Sequence, residues 1–183
     1  MDDPCEESRY LYLDTSMCWA LDAAGDAGAV SFAVDALSGT PDGWHIAAVS
    51  HIWFLYADTA TPTVGDIPDY CKIYLSLFDA LNARSSGEVD VSGTAVPYDF
   101  RSAGAKVEFC IGGHTHVDHD FRSDGGIPVI LTETDSYHSR SGLANTKGTT
   151  AEASVSGIVA DYDSGKISVI RIGRGESRQV SLT

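Results

Sequence analysis

The sequence predicts an α/β fold of the layered α+β kind, with a mixed sheet, flanking helices and a closing β-hairpin. Three observations predict it. Short apolar runs of strand length alternate with stretches that have helical periodicity. The last two apolar runs are separated by the turn sequence Asp-Ser-Gly at 163–165. The length of 183 residues suits a single domain that spans the whole chain, residues 1–183.

Three elements are predicted before the first turn. Residues 9–13 are apolar and aromatic, which is typical of a short β-strand. The segment 22–29 is rich in glycine, alanine and aspartate and predicts a loop. A short helix is expected over residues 30–37, where apolar side chains recur at helical spacing.

A second strand and the clearest helix follow the turn signal Pro-Asp-Gly at 41–43. Residues 44–50 predict a buried strand, and His51 comes directly after it. Residues 57–68 are rich in threonine, proline and aspartate and predict a loop. A helix is predicted over 70–81, because one face carries apolar residues three and four positions apart. Those residues are Tyr70, Ile73, Tyr74, Leu77, Phe78 and Leu81.

The second half of the chain is dominated by predicted strands. Residues 106–111 form an apolar run that ends in two glycines, and residues 127–131 form another. The closing hairpin is expected to pair residues 153–162 with residues 166–172.

Charge and cysteine content exclude several classes of function. The chain has 26 acidic and 12 basic residues and a formal charge of −14, so no nucleic-acid-binding surface is expected. No apolar run reaches the ~20 residues of a membrane span, no signal peptide is recognised, and the sequence leaves the compartment undetermined. The four cysteines form no Cys-x-x-Cys pair, which disfavours a thiolate zinc site. Cys71 and Cys110 lie in apolar patterns and are expected to be buried thiols.

The histidines carry the predicted chemistry. His51 and His114 each follow an apolar strand, and His116 lies two residues further on. If the two strands are parallel neighbours, their carboxyl ends meet at one edge of the sheet, where ligand sites of α/β proteins gather. Three neutral imidazoles could hold one Zn²⁺ and leave a fourth position open. The sequence therefore predicts His51, His114 and His116 as metal ligands.

Other polar residues near these histidines have two interpretations each. Asp118 or Asp120 could orient a ligating imidazole, or could belong to a solvated acidic loop. His45 lies inside a predicted strand and is interpreted as structural. The polar loop 136–148 carries His138 and two basic side chains that could meet an anionic substrate, although a plain surface loop fits it better.

The histidine sequences resemble two signatures of the calcineurin-like metallophosphoesterases. Gly-His-Thr-His at 113–116 resembles the last signature of that family, Gly-His-x-His, and Val-Ser-His at 49–51 is similar to the signature before it. Further segments resemble phosphoesterase-like proteins of phages and gut bacteria. The resemblance implies part of an αββα sandwich that hydrolyses phosphate mono- or diesters. It implies that His51 and His114 bind one metal and His116 a second, the metal being Zn, Mn, Fe or Ni.

The family's earlier signatures are absent from this sequence. Asp-x-His, Gly-Asp-x-x-Asp and Gly-Asn-His do not occur, so the resemblance is to the C-terminal portion of such a domain. Two dications repel each other strongly, and three neutral imidazoles cannot offset that repulsion as a bridging carboxylate does. The isolated chain is therefore expected to be impaired as a phosphoesterase and to hold one metal or none, and no catalytic residue is assigned.

Two alternatives come from other classes of function. The chain could be a non-catalytic structural or binding module, such as a component of a phage particle, that reuses the scaffold. It could also be a mononuclear zinc hydrolase with three histidine ligands. For the phosphoesterase interpretation the expected partners are an unidentified phosphorylated substrate and, because incomplete sheets expose edges, a second copy of the chain or a missing N-terminal half.

Overall fold

The computed structural model describes residues 1–14, 23–53, 65–133, 148–150 and 152–182. Within these ranges the chain forms two helices and strands in three sheets. The elements in chain order are β1 (Asp2–Asp3), β2 (Ser8–Leu13), α1 (Ala23–Ser38), β3 (His45–Ser50), α2 (Asp69–Asn82), β4 (Ser86–Val91), β5 (Thr94–Asp99), β6 (Lys106–Gly112), β7 (His119–Arg122), β8 (Pro128–Leu131), β9 (Ser154–Asp161), β10 (Lys166–Gly173) and β11 (Arg178–Ser181).

The main sheet has six strands in the order β1-β2-β3-β6-β8-β7. Its four central strands are parallel, and β1 and β7 are antiparallel at its two edges. A second sheet, β11-β10-β9, is antiparallel. The predicted mixed sheet, helices and C-terminal hairpin are therefore confirmed.

One hydrophobic core joins the helices to a face of the main sheet. From α2, the side chains of Tyr74, Leu77 and Phe78 are fully buried in this core, so the predicted helix over 70–81 is confirmed. The helix ends at Asn82, whose side chain both donates to the carbonyl of Val107 (2.8 Å) and accepts from its amide (2.9 Å). This pair of bonds ties the end of α2 to the start of β6.

A smaller core lies on the opposite face of the main sheet, against the three-stranded sheet. Ala47, Phe109 and Ile130 of the main sheet pack with Ile167 and Val169 of β10. The alternation of side chains along each strand explains this, because neighbouring residues of one strand enter different cores. The described residues thus form three layers: helices, main sheet and second sheet.

The first helix is longer than the sequence predicted. A loop was expected over 22–29, but α1 runs from Ala23 to Ser38, so that prediction is wrong for 23–29. The alanines of this segment are the strongest helix formers and offset its glycines. Ala27, Val30 and Leu37 are buried in the first core, whereas Phe32 is exposed, so packing of the helix supplies what the local sequence lacks.

The hairpin β4–β5 was not predicted, and neither were the short strands β1, β7 and β11. Its turn places Ser92 (φ 51°) and Gly93 (φ 87°) in the left-handed region, as a two-residue hairpin turn requires. Val91 and Val96 are buried in the first core, and the hairpin packs against both helices. The charged residues between its valines hid the strand pattern from the sequence analysis.

The predictions for the cysteines and for two of the loops can be compared with the described residues only in part. Cys71 and Cys110 are buried free thiols as expected, and burial raises the pKa of the Cys110 thiol well above its usual range. Most of the predicted loops 57–68 and 136–148 lies outside the described residues, together with His138. None of the described helices has the length and apolar character that crossing a membrane requires.

Gly112, at the end of β6, sits where no side chain fits. A Cβ atom there would lie 2.3 Å from Cδ1 of Trp53 and 2.9 Å from the carbonyl oxygen of Ser50. The Trp53 indole is fully buried, and its Nε1 donates to the carbonyl of Ile111 at 2.9 Å. The missing side chain therefore lets the indole close over the ends of β3 and β6.

We expect Gly112→Ala to lower the free energy of unfolding by about 2 kcal/mol, because a buried indole and a backbone carbonyl must both move. Gly28→Ala in α1 is the matched control. Its new methyl group meets no atom within 4 Å, and alanine in a helix is worth up to about 1 kcal/mol over glycine. Urea unfolding followed by circular dichroism measures both. Equal effects of the two substitutions would show that Trp53 is not packed on Gly112 as described.

Candidate metal centre

The two predicted histidine strands are parallel neighbours in the main sheet. β3 pairs with β6 along its length, and β6 pairs in turn with β8. Beyond the paired residues, the amide of Gly113 donates to the carbonyl of His51 (3.1 Å), and the amide of Thr132 donates to the carbonyl of Gly112 (3.0 Å). The carboxyl ends of three parallel strands are thereby held together, which confirms the topology that the histidine hypothesis required.

The structure brings His51 and His114 together at this edge. Nε2 of His51 lies 3.4 Å from Nδ1 of His114, and the ring centroids are 5.2 Å apart with an interplanar angle of 81°. Metal–nitrogen bonds of about 2.0–2.1 Å at tetrahedral angles place two ligand nitrogens about 3.3 Å apart. The pair therefore fits two ligand positions of one tetrahedral metal ion.

His116 lies two residues further along the same loop and is partly buried. Across the ranges that the structure describes, no three histidine, cysteine, aspartate or glutamate side chains gather into a group that could hold a metal ion. The structure therefore brings together two imidazoles, those of His51 and His114, and the role of His116 as a ligand stays a prediction.

The loop that carries these histidines has an uncommon backbone. His114 (φ 68°) and His116 (φ 57°) both lie in the left-handed region, which residues with a Cβ atom seldom adopt. Thr115 between them is buried, and its amide donates to the carbonyl of Gly113 at 2.8 Å. Backbone conformations of this kind cost about 1–3 kcal/mol each and cluster at functional sites.

Asp118 anchors the other end of the loop. Its carboxylate accepts hydrogen bonds from Arg171, from Arg178 (3.0 Å) and from the backbone amide of Glu133 (3.1 Å). Asp120 accepts two bonds from Arg178, at 2.7 and 2.9 Å. Among the described residues neither aspartate bonds an imidazole, and both pair with arginines, which differs from each of the two interpretations that the sequence left open.

The arginines come from the second sheet and reach partly or fully buried positions. Burial opposes the charge of Arg178, but the carboxylates of Asp120 and Asp118 outweigh it and raise the pKa of that guanidinium. Nε of Arg174 donates to Glu133 at 2.8 Å, with the two side chains 3% and 0% exposed. These arginines and acids form an ionic network that joins β10 and β11 to the histidine loop.

Sequence reasoning missed this network. A signal was present, because Arg171, Arg174 and Arg178 lie within eight residues of a chain that has only 12 basic residues. Their partners lie 41 to 60 residues away, and no local pattern identifies such pairs.

His45 occupies the amino end of β3, the opposite edge of the sheet from His51. Its Nδ1 lies 2.8 Å from Oε1 of Glu108, and Oε2 of the same carboxylate accepts a hydrogen bond from Nζ of Lys106 at 2.8 Å. The His45 ring stacks on Tyr162 with centroids 3.8 Å apart and an interplanar angle of 9°. These contacts support the structural interpretation of His45.

The buried pair of Glu133 and Arg174 provides a test of the network. Glu133→Gln leaves a buried guanidinium opposite a neutral amide, and we expect the free energy of unfolding to fall by about 3 kcal/mol. Asp99→Asn, which breaks the exposed pair with Arg101, should change it little. Urea unfolding of both variants measures the difference. A Glu133→Gln variant as stable as the wild type would contradict the anchoring role of this pair.

Tyr162 provides a test at alkaline pH. Burial raises the pKa of its phenol above the ordinary value of 10.0, so the unfolded chain releases this proton at lower pH than the folded chain. Its contribution to the free energy of unfolding is complete below pH 10.0 and is lost as the pH rises through the folded-state pKa. We expect the stability of the wild type to fall relative to Tyr162→Phe over that interval, as measured by urea unfolding at a series of pH values. A constant difference would contradict the half-buried phenol described for Tyr162.

No family model, curated protein or solved structure matches this chain. The resemblance to the metallophosphoesterases therefore stays an expectation from the sequence, and the structure adds the geometry of the histidine pair at the carboxyl ends of β3 and β6.

Proposed function

We propose that this chain supplies histidine ligands to a metal-dependent phosphoesterase, as the C-terminal portion of a metallophosphoesterase-like domain. The observation that carries the proposal is the distance of 3.4 Å between the ring nitrogens of His51 and His114. Two residues 63 positions apart meet at a strand edge where ligand sites of α/β sheets gather. The layered arrangement of helices and two sheets is in keeping with part of an αββα sandwich.

Some residues of the chain would bind the metal, and others would hold the metal-binding residues in position. His51 and His114 would bind the metal, and His116 would add a further ligand. The hydrogen bond from Gly113 to the His51 carbonyl and the anchoring of Asp118 would hold the two strand ends in place. A divalent metal, when bound, polarises a phosphoryl oxygen and makes bound water more acidic.

The proposal also limits what the chain does alone. A two-metal centre needs carboxylates, and the Asp-x-His, Gly-Asp-x-x-Asp and Gly-Asn-His signatures are absent from the sequence. Ligands from outside this sequence would have to complete such a centre. We therefore expect the chain to bind about one Zn²⁺, Mn²⁺, Fe²⁺ or Ni²⁺ and to turn over phosphoesters poorly.

Metal uptake tests the site directly. After dialysis against Zn²⁺ or Ni²⁺, elemental analysis should find about one ion per wild-type chain. His51→Ala and His114→Ala should each lower the affinity of the chain for the metal by at least about tenfold. His116→Ala tests the third ligand. His45→Ala is the matched control, because His45 lies at the opposite end of the same strand. A wild-type chain that takes up no metal, with a melting temperature unaffected by chelator, would contradict the proposal and favour a non-catalytic module.

The proposed action on phosphate esters is tested with the same protein samples. Inorganic phosphate should bind to the metal-loaded chain, and this binding should disappear in chelator and in His114→Ala. Hydrolysis of bis(p-nitrophenyl) phosphate should stay close to the rate without protein. Metal uptake without phosphate binding would contradict the phosphoesterase assignment, and rapid hydrolysis abolished by His114→Ala would contradict the expected impairment.

A further inference from the structure

The edge strand β9 is unusually open to pairing. It forms the border of the second sheet and pairs with β10 through all eight of its residues. On its other side, nothing in the described part of the chain pairs with it. Natural edge strands are commonly protected by proline, lysine, a bulge or short length. β9 contains no proline or lysine, its register is continuous, and its only charge is Asp161 at its last position.

The outer face beside this edge is apolar. Val155 and Val159 of β9 are each 52% exposed, and Ile170 and Ile172 of β10 are 46% and 65% exposed. The register places Val155 opposite Ile172, so these side chains share one face, which points away from the second core. These four side chains form an uncharged apolar strip on a chain with a net charge of −14.

The sequence of β9 is self-complementary on that face. Counting outward from Gly157, the next residues on the same face are Val155 in one direction and Val159 in the other. An antiparallel pair of two β9 strands with a two-fold axis at Gly157 would place each Val155 opposite a Val159 of the other strand. Asp161 would fall opposite Ala153, so no carboxylate of one β9 would face a carboxylate of the other.

We propose that two copies of this chain form a symmetric dimer through antiparallel pairing of their β9 strands, centred on Gly157. The two three-stranded sheets become one six-stranded sheet, and the exposed apolar strips of both copies become continuous. A second copy fits this edge because a two-fold contact requires a surface that complements itself, and the valine–glycine–valine pattern does so. Because an acidic chain repels its own copy, contact through an uncharged strip avoids placing like charges against each other.

A charge-swap experiment tests the pairing. In the double variant Val155→Lys with Val159→Lys, lysine faces lysine twice across the two-fold axis, and the dissociation constant should rise by at least about tenfold. In Val155→Lys with Val159→Glu, lysine faces glutamate twice, and the dimer should return. Both positions are half-exposed, so the fold should tolerate the changes, which circular dichroism checks. Sedimentation equilibrium of the full chain in chelator measures the mass, so the result is independent of metal binding.

A control on the neighbouring strand separates edge pairing from stacking of two sheet faces. Ile170→Lys places a charge on the same apolar face but on the central strand β10, so it should leave the dimer intact. A wild-type chain that remains monomeric at every concentration overturns the proposal. The same holds if the lysine–glutamate variant is no more dimeric than the double-lysine variant, or if Ile170→Lys alone dissociates the dimer.

Discussion

The close approach of β3 and β6 beneath Trp53 is the contact on which the candidate site depends. Gly112 makes it possible, because a side chain there would collide with the indole and with the Ser50 carbonyl. Once the two strands end side by side, His51 follows β3 directly and His114 follows β6 after Gly113, and the two rings meet. A steric constraint in the core thus places two imidazoles at the surface, and the chemistry of the edge follows from the packing behind it.

The second sheet contributes more than a hydrophobic layer. Arg171, Arg174 and Arg178 use a quarter of the basic side chains of the sequence, and they point inward to the acids that flank the histidine loop. Such charges stay buried only when they are paired, because an unpaired one would cost several kcal/mol. The histidine loop and the C-terminal strands therefore specify each other's positions.

What the sequence could predict depended on the range of the interactions. The helix over 70–81, the main strands and the closing hairpin follow from local periodicity. The convergence of His51 and His114 was expected only if their strands are parallel neighbours, and the folded structure supplies that condition. The start of α1 and the hairpin β4–β5 were missed because glycines and charged residues mask patterns that tertiary packing sustains. The pairing of Arg174 with Glu133 joins residues 41 positions apart, and only the folded chain reveals it.

The left-handed backbone at His114 and His116 lowers the stability of the fold at the positions that carry the imidazoles. Glycine would adopt those angles without steric cost, so a chain selected for stability alone would gain by replacing both histidines. Keeping two imidazoles there gives up some thermodynamic stability at the rim of the sheet. The same two positions therefore combine a backbone cost with the imidazoles that the proposed metal centre would use.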